Sequence, residues 1–295
     1  MHLQKNDLVA LVAPAGSLSD DIAVRNAQKL LSDWGLKSML GKNVLKQSGH
    51  FAGTDIERLR DLQDALDNQD VKMIWALRGG YGTNRIVDEL NFSEFKKHPK
   101  YIVGFSDITI LHSKLHNLGF QSIHALMPVG LKDNISQDVL QQTKNAFFGS
   151  PVQYVFSKNI KNKNTENIKG IIVGGNLANL YSLLGTNLDI ETKDKILLIE
   201  DIGEQLYQID RMIISMKKAG KLENLKALFV GRFTDIPDNN PEFGKTYQEI
   251  ILEHTQTYDY PVIFDVPVGH IADNYPVIFG KEVRLSVGKN LKISF

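Results

Sequence analysis

The sequence has no cysteine among its 295 residues, and this absence excludes several classes of site. Without thiols there can be no disulfide framework, zinc ribbon, iron–sulfur cluster or cysteine nucleophile. Covalent catalysis would therefore have to use a hydroxyl, amine, carboxylate or imidazole group.

The sequence also lacks an excess of either charge and any long apolar run. The 34 Lys and Arg residues balance 34 Asp and Glu residues, whereas nucleic-acid-binding proteins usually carry a basic surplus. No apolar run approaches the roughly 20 residues of a membrane span, and residues 1–16 contain no plausible signal cleavage site. We therefore expect a cytoplasmic protein with neither a nucleic-acid nor a membrane partner.

The first half of the chain alternates short β-branched runs with helical patterns, which is typical of β-α-β units. This alternation predicts a doubly wound, mostly parallel sheet in an N-terminal α/β domain over residues 1–150. A helix is predicted to begin after Thr54 with a capping box, with Ile56, Leu59, Gln63 and Leu66 along one side. The predicted strands of this half are Leu8–Ala13, Val71–Leu77 and Tyr101–Phe105.

The polar segment 151–169 is rich in Lys and Asn and has no apolar period, so it is predicted to be a linker. Beyond it the α/β pattern resumes, and the last forty residues are rich in strand signals such as Pro261–Val266. A chain of this length lies near the size at which one core divides into two. We expect a smaller, mixed α/β C-terminal domain over residues 170–295.

A glycine-rich loop, Gly79-Gly80-Tyr81-Gly82, follows a predicted strand. Such a loop can direct backbone N–H groups at an anion, because glycine allows a close approach. It matches the dinucleotide-binding fingerprint only partly, since Arg85 stands where the third glycine should be. The alternatives are an anion cradle and a tight turn.

Ser106 lies in Gly104-Phe105-Ser106-Asp107, at a predicted strand-to-helix turn where α/β hydrolases place a nucleophile. The second glycine of that motif is missing, and the alternative role for Ser106 is a helix N-cap.

Carboxylates and histidines follow other strands. Glu200 and Asp201 close an apolar strand and Glu204 follows; either acid after Glu200 could instead cap the next helix. His270 ends an apolar stretch before a turn. His112 and His116 have a metal-binding i, i+4 spacing but no third ligand, so we expect no metal site. Ser106, Glu200 and His270 give the chain order of a serine, an acid and a base.

These motifs together resemble the LD-carboxypeptidases, a serine peptidase family that includes muramoyltetrapeptide carboxypeptidases and microcin-immunity peptidases. The resemblance rests on VAPAG (12–16), LRGGYG (77–82), GFSD (104–107), GGNLANLYSLLGT (174–186), LLIEDIGE (197–204) and GH (269–270), which together span nearly the whole chain.

The resemblance implies a cytoplasmic enzyme, frequently a homodimer, that needs no cofactor and releases terminal D-alanine from muropeptides during peptidoglycan recycling. It implies a catalytic triad of Ser106, Glu200 and His270, with the backbone N–H groups of Gly80 and Asp107 as oxyanion donors. The substrate-binding candidates are Arg78, as a clamp for the substrate's free carboxylate, and Tyr81. Two alternatives remain: a peptidase that inactivates a peptide–nucleotide antibiotic, and a non-catalytic nucleotide- or sugar-binding protein.

Overall fold

The computed structural model describes residues 2–131, 134–162, 165 and 167–295, and these form a mixed α/β fold with two sheets. The strands are β1 (Leu8–Val12), β2 (Lys37–Leu40), β3 (Val71–Ala76), β4 (Tyr101–Gly104), β5 (Ser122–His124), β6 (Gln153–Ser157), β7 (Ile160–Lys161), β8 (Asn167–Asn176), β9 (Ile196–Ile202), β10 (Ala227–Thr234), β11 (Val262–Ile263), β12 (Val277–Phe279), β13 (Glu282–Val287) and β14 (Asn290–Ser294). The α-helices are α1 (Ile22–Asp33), α2 (Asp55–Asp67), α3 (Ser93–Lys97), α4 (Thr109–Asn117), α5 (Gln137–Phe148), α6 (Leu177–Ser182), α7 (Leu206–Lys218) and α8 (Tyr247–Thr255).

The first sheet has the order β12-β5-β4-β3-β1-β2. All its neighbouring strands are parallel except β12, which pairs antiparallel with β5. Alternate residues of β1 belong to two different hydrophobic clusters, one containing buried residues of α1 and the other buried residues of α2. Helices therefore cover both faces, as the prediction of a doubly wound sheet requires.

The second sheet has the order β6-β14-β13-β8-β9-β10-β11-β7. The strands β8 to β11 are mutually parallel, and antiparallel strands flank them on both sides. The mixed character expected of the C-terminal half is confirmed, although this sheet has more strands than the first. One hydrophobic cluster contains residues of both sheets, including Leu11 and Leu198.

The segment predicted to be a linker is partly regular structure. Residues Gln153–Ser157 form β6, Ile160–Lys161 form β7, and β8 begins at Asn167. The segment 151–169 therefore contains strands that its composition did not indicate, because β6 and β7 pair at the two edges of the second sheet, where strands tolerate polar and lysine-rich sequence. The domain limits themselves stay a prediction, and the residues Lys163, Asn164 and Glu166 lie outside the described part.

The helix that follows Thr54 begins with the predicted capping box, but it buries a different side. Its buried residues are Arg58, Asp61, Leu62, Ala65 and Leu66, whereas Ile56 is exposed. Along the described ranges, no helix combines the length and apolar character needed to cross a membrane.

Candidate active site

Ser106 lies two residues after the end of β4, at the start of a 3₁₀ turn that leads into α4. Its φ of 61° is in the left-handed region, which costs a non-glycine residue about 1–2 kcal/mol. The N-cap position is Ile108 for α4 and Phe105 for the 3₁₀ turn, and no side chain among the described residues caps either, so the alternative role of Ser106 as a helix cap is wrong. A strained serine between a strand and a helix is the local geometry of a nucleophile turn.

The glycine loop packs against this serine. A Cβ atom added to Gly79 would lie 3.0 Å from Ser106 Cβ and 3.3 Å from Ser106 Oγ, so a side chain there would press against the serine. The backbone N–H groups of Gly80 and Asp107 donate to no other group of the described residues. One of these two N–H groups belongs to the loop that packs against Ser106, and the other belongs to the residue that follows Ser106 in the chain.

The Asp107 side chain ties the turn to the loop. It is buried, and its carboxylate accepts the Thr83 backbone N–H at 2.8 Å. Burial raises the pKa of this carboxyl, while hydrogen bonds from Thr83 and Gly82 and the positive charge of Arg58 act in the opposite direction. The sequence indicated Asp107 only as a backbone donor and gave no sign of this second contact.

Glu200 and His270 form a direct pair. His270 Nδ1–H donates to Glu200 Oε2 at 2.8 Å, and the Glu200 side chain is wholly buried. Its other oxygen, Oε1, has no hydrogen-bond partner among the described residues. A Cβ on Gly269 would lie 3.0 Å from Glu200 Oε2, so the glycine before His270 lets the carboxylate reach the imidazole.

The pKa of His270 lies above its ordinary value. Burial lowers the pKa of the imidazole, but the hydrogen bond from Nδ1 to Glu200 and the negative charges of Glu200 and Asp201 outweigh that effect. The pair therefore stabilises a protonated imidazole, which is the form that a base acquires during catalysis.

Phe105 brings the serine and the histidine into one site. Its ring centroid lies 4.9 Å from that of His270, and Ser106 is the next residue in the chain. The hydrogen bonds of the described residues do not include one between Ser106 and His270. Such bonds are often long without substrate and tighten when it binds.

Neither Asp201 nor Glu204 is the residue that caps α7, although the sequence offered both as caps. Asp201 accepts the Ala178 N–H at 2.9 Å at the start of α6 and the Asn176 side-chain amide at 2.8 Å. Burial, with the neighbouring charge of Glu200, raises its pKa to about 7. Gln205 caps α7 instead, so the predicted capping role of Glu204 is wrong.

Arg78 and Tyr81 flank the glycines as predicted from the sequence. Arg78 Nη1 donates to the Ser17 carbonyl oxygen. Tyr81 is 53% exposed, and its ring lies 6.0 Å from that of Phe51. Both side chains are therefore accessible, at least in part, to a ligand that binds beside the glycine loop.

His112 belongs to the core. Its ring joins Ser122 Oγ at 2.8 Å and the Gly104 carbonyl oxygen at 3.0 Å, and burial lowers its pKa to about 4. His116 is only partly buried. In the part of the chain that the structure describes, no group of three or more His, Cys, Asp or Glu residues could hold a metal ion.

Two contacts around the site were missed by the sequence reasoning. Arg58 is a buried arginine of α2 that donates to the carbonyl oxygens of Pro14 and Gly82. The helical period could have indicated this, because Arg58 precedes Leu62 by four residues and Leu66 by eight, which places it on the buried side of the helix. Thr109 Oγ1 accepts the Asn176 N–H at 3.0 Å, and no sequence pattern indicated this contact between α4 and β8.

Comparison with known proteins gives matches along most of the chain. The family model described as the LD-carboxypeptidase N-terminal domain matches residues 9–125, and that of the LD-carboxypeptidase C-terminal domain matches residues 169–285. A probable murein peptide carboxypeptidase of Bacillus subtilis (strain 168) is 33% identical over 298 residues, covering 99% of this chain and 92% of the relative. A murein tetrapeptide carboxypeptidase of Pseudomonas aeruginosa is 30% identical, covering 94% and 92%. The crystal structure of muramoyltetrapeptide carboxypeptidase from Oxalobacter formigenes superposes with a TM-score of 0.85 at 26% identity, covering 97% of this chain and 98% of that chain.

Proposed function

The chain belongs to the LD-carboxypeptidase family, and we propose that it releases terminal D-alanine from muropeptide tetrapeptides by serine catalysis. The observation that carries the proposal is the buried Glu200–His270 hydrogen bond beside the strained Ser106 turn. Relatives named as murein carboxypeptidases support the substrate class.

In the proposed reaction, Ser106 Oγ attacks the carbonyl carbon of the scissile amide while His270 Nε2 takes the hydroxyl proton. Glu200 holds the imidazole through Nδ1–H and stabilises its positive charge. The N–H groups of Gly80 and Asp107 bind the oxyanion of the tetrahedral intermediate. His270 then gives the proton to the departing D-alanine nitrogen, and water hydrolyses the acyl-serine in the same way.

An enzyme that removes a C-terminal residue must bind its free carboxylate. Arg78 is the candidate clamp, because guanidinium binds carboxylate with two parallel hydrogen bonds. Tyr81 is positioned to contact the peptide beside it.

Two further properties belong to this proposal. The resemblance favours a location in the cytoplasm, the compartment in which muropeptides released from the wall would be recycled. It also favours a homodimer.

The proposal is tested by incubating the protein with a tetrapeptide muropeptide ending in D-alanine and measuring the terminal alanine released, by a method that detects both enantiomers. A tetrapeptide ending in L-alanine is the matched substrate control, and the Ser106→Ala variant is the matched protein control. We expect release only from the first substrate and only with Ser106 present, at a rate on the order of a millionfold above that of the variant. Cleavage of a peptide–nucleotide conjugate but not of the muropeptide would identify the antibiotic-inactivating alternative.

A further inference from the structure

The turn formed by Pro14, Ala15 and Gly16 follows β1 and contacts the glycine loop. Gly16 N–H donates to the carbonyl oxygen of Gly79 at 2.9 Å. That carbonyl belongs to the same peptide unit as the Gly80 N–H, which is the proposed oxyanion donor. Because this peptide is trans, its N–H points away from its C=O. The bond from Gly16 therefore fixes the direction of the Gly80 N–H.

Arg58 holds the same turn from the other side. The Nη1 atom of its buried guanidinium donates both to the Pro14 carbonyl oxygen and, at 2.9 Å, to the Gly82 carbonyl oxygen. The charge of Arg58 is paired with Asp55. Ala52 N–H binds the Ala15 carbonyl at 3.0 Å, so the turn is anchored at each of its three residues.

We propose that the Pro14–Gly16 turn, held by Arg58, is a positioning element that orients the oxyanion-binding N–H of Gly80. This inference rests on the proposed function, since it assigns the turn a role in that reaction. Gly16 and Arg58 act through the glycine loop and touch no reacting atom, so both are positioning residues.

An alanine at Gly16 would disturb the bond between the turn and the glycine loop. Its φ lies outside the left-handed region, so alanine can adopt the same backbone conformation. A Cβ atom there would lie 3.0 Å from the Gly79 oxygen and 3.3 Å from Arg78 Nε. The Gly79 carbonyl must therefore move by a few tenths of an ångström, and the Gly80 N–H moves with it.

The experiment compares Gly16→Ala with Gly288→Ala, a control at an exposed turn where an added Cβ meets only an ordinary contact at 3.6 Å. Removing an oxyanion donor costs about 10²–10³-fold in kcat, so displacing one should cost roughly 10- to 100-fold. We expect that loss of kcat in Gly16→Ala and no loss in the control. Equal kcat values in the two variants, or a raised KM with unchanged kcat, would overturn the inference.

A second readout separates this inference from the proposed substrate. A fluorophosphonate that reacts with Ser106 places an oxygen at the oxyanion position, so its labelling rate should fall in Gly16→Ala by a factor similar to that for kcat. Wild-type protein that is labelled but releases no D-alanine would refute the substrate, and the labelling rates would still decide the inference. If Gly16→Ala does not fold, Arg58→Lys takes its place, because one ammonium cannot reproduce the planar contacts of the guanidinium. Labelling of Arg58→Lys at the wild-type rate would then refute the inference.

Discussion

Replacing Glu200 by glutamine removes the negative charge from the proposed triad while keeping nearly the same shape. In the structure, the carboxylate accepts His270 Nδ1–H at 2.8 Å and is wholly buried. Two unit charges about 4 Å apart at an effective dielectric constant of about 20 interact by roughly 4 kcal/mol. Since about 1.4 kcal/mol corresponds to a factor of ten, the lost stabilisation of the imidazolium is worth about a thousandfold in rate.

A second effect increases the loss. The glutamine amide can donate to Nδ1, which would leave the proton on Nε2, where His270 must accept the serine proton. We therefore expect Glu200→Gln to lower kcat by roughly 10³–10⁴-fold with little change in KM. The charge of Glu200 also raises the His270 pKa, so the acidic limb of the pH–rate profile should move to lower pH in the variant.

The assay is steady-state release of D-alanine across pH, with thermal melting measured on the same samples. Glu204→Gln is the matched control, because Glu204 lies four residues further on and caps no helix. The reasoning would be refuted if Glu200→Gln kept a tenth of the wild-type rate, or if the large loss appeared in Glu204→Gln instead.

Three further outcomes are expected. Arg78→Lys should raise KM about tenfold for peptides with a free C-terminal carboxylate but not for their C-terminal amides, and equal effects on both would contradict the clamp. Buried His112 is neutral in the fold, with a pKa lowered to about 4 against 6.5 when unfolded. Its unfolded form therefore binds more protons below pH 6.5, and the free energy of unfolding should fall by up to about 1.4 kcal/mol per pH unit toward pH 4. Urea titrations should show a shallower acid dependence in His112→Gln. EDTA should leave D-alanine release unchanged, and a loss restored by zinc would contradict the serine mechanism.

The sequence was sufficient for the parts of the fold that local patterns encode. The strands around Val71 and Tyr101 and the capped start of α2 agree with the structure within a residue or two. The strands β6, β7 and β12 were missed or misread because their stability comes from pairing with partners far along the chain. A three-residue strand such as β12 carries too few side chains to show a period.

In the candidate site, too, the features that local sequence patterns encode were predicted and those that depend on distant contacts were not. Ser106, Glu200 and His270 stood out because each follows or ends an apolar run. The bond from Gly16 to Gly79 could not be predicted, since a backbone hydrogen bond between distant loops leaves no mark on side-chain patterns. The capping role of Asp201 at α6 also depends on how β8 and β9 align, which spacing alone does not fix.

The central claim is that Ser106 is a nucleophile activated by the Glu200–His270 pair. Its most direct test is labelling with a fluorophosphonate, followed by peptide mapping of the modified residue, in the wild type, Ser106→Ala and His270→Ala. The account predicts a single adduct on Ser106, none in Ser106→Ala, and labelling slowed by at least about a hundredfold in His270→Ala. An adduct on another residue, or wild-type labelling in Ser106→Ala, would contradict it.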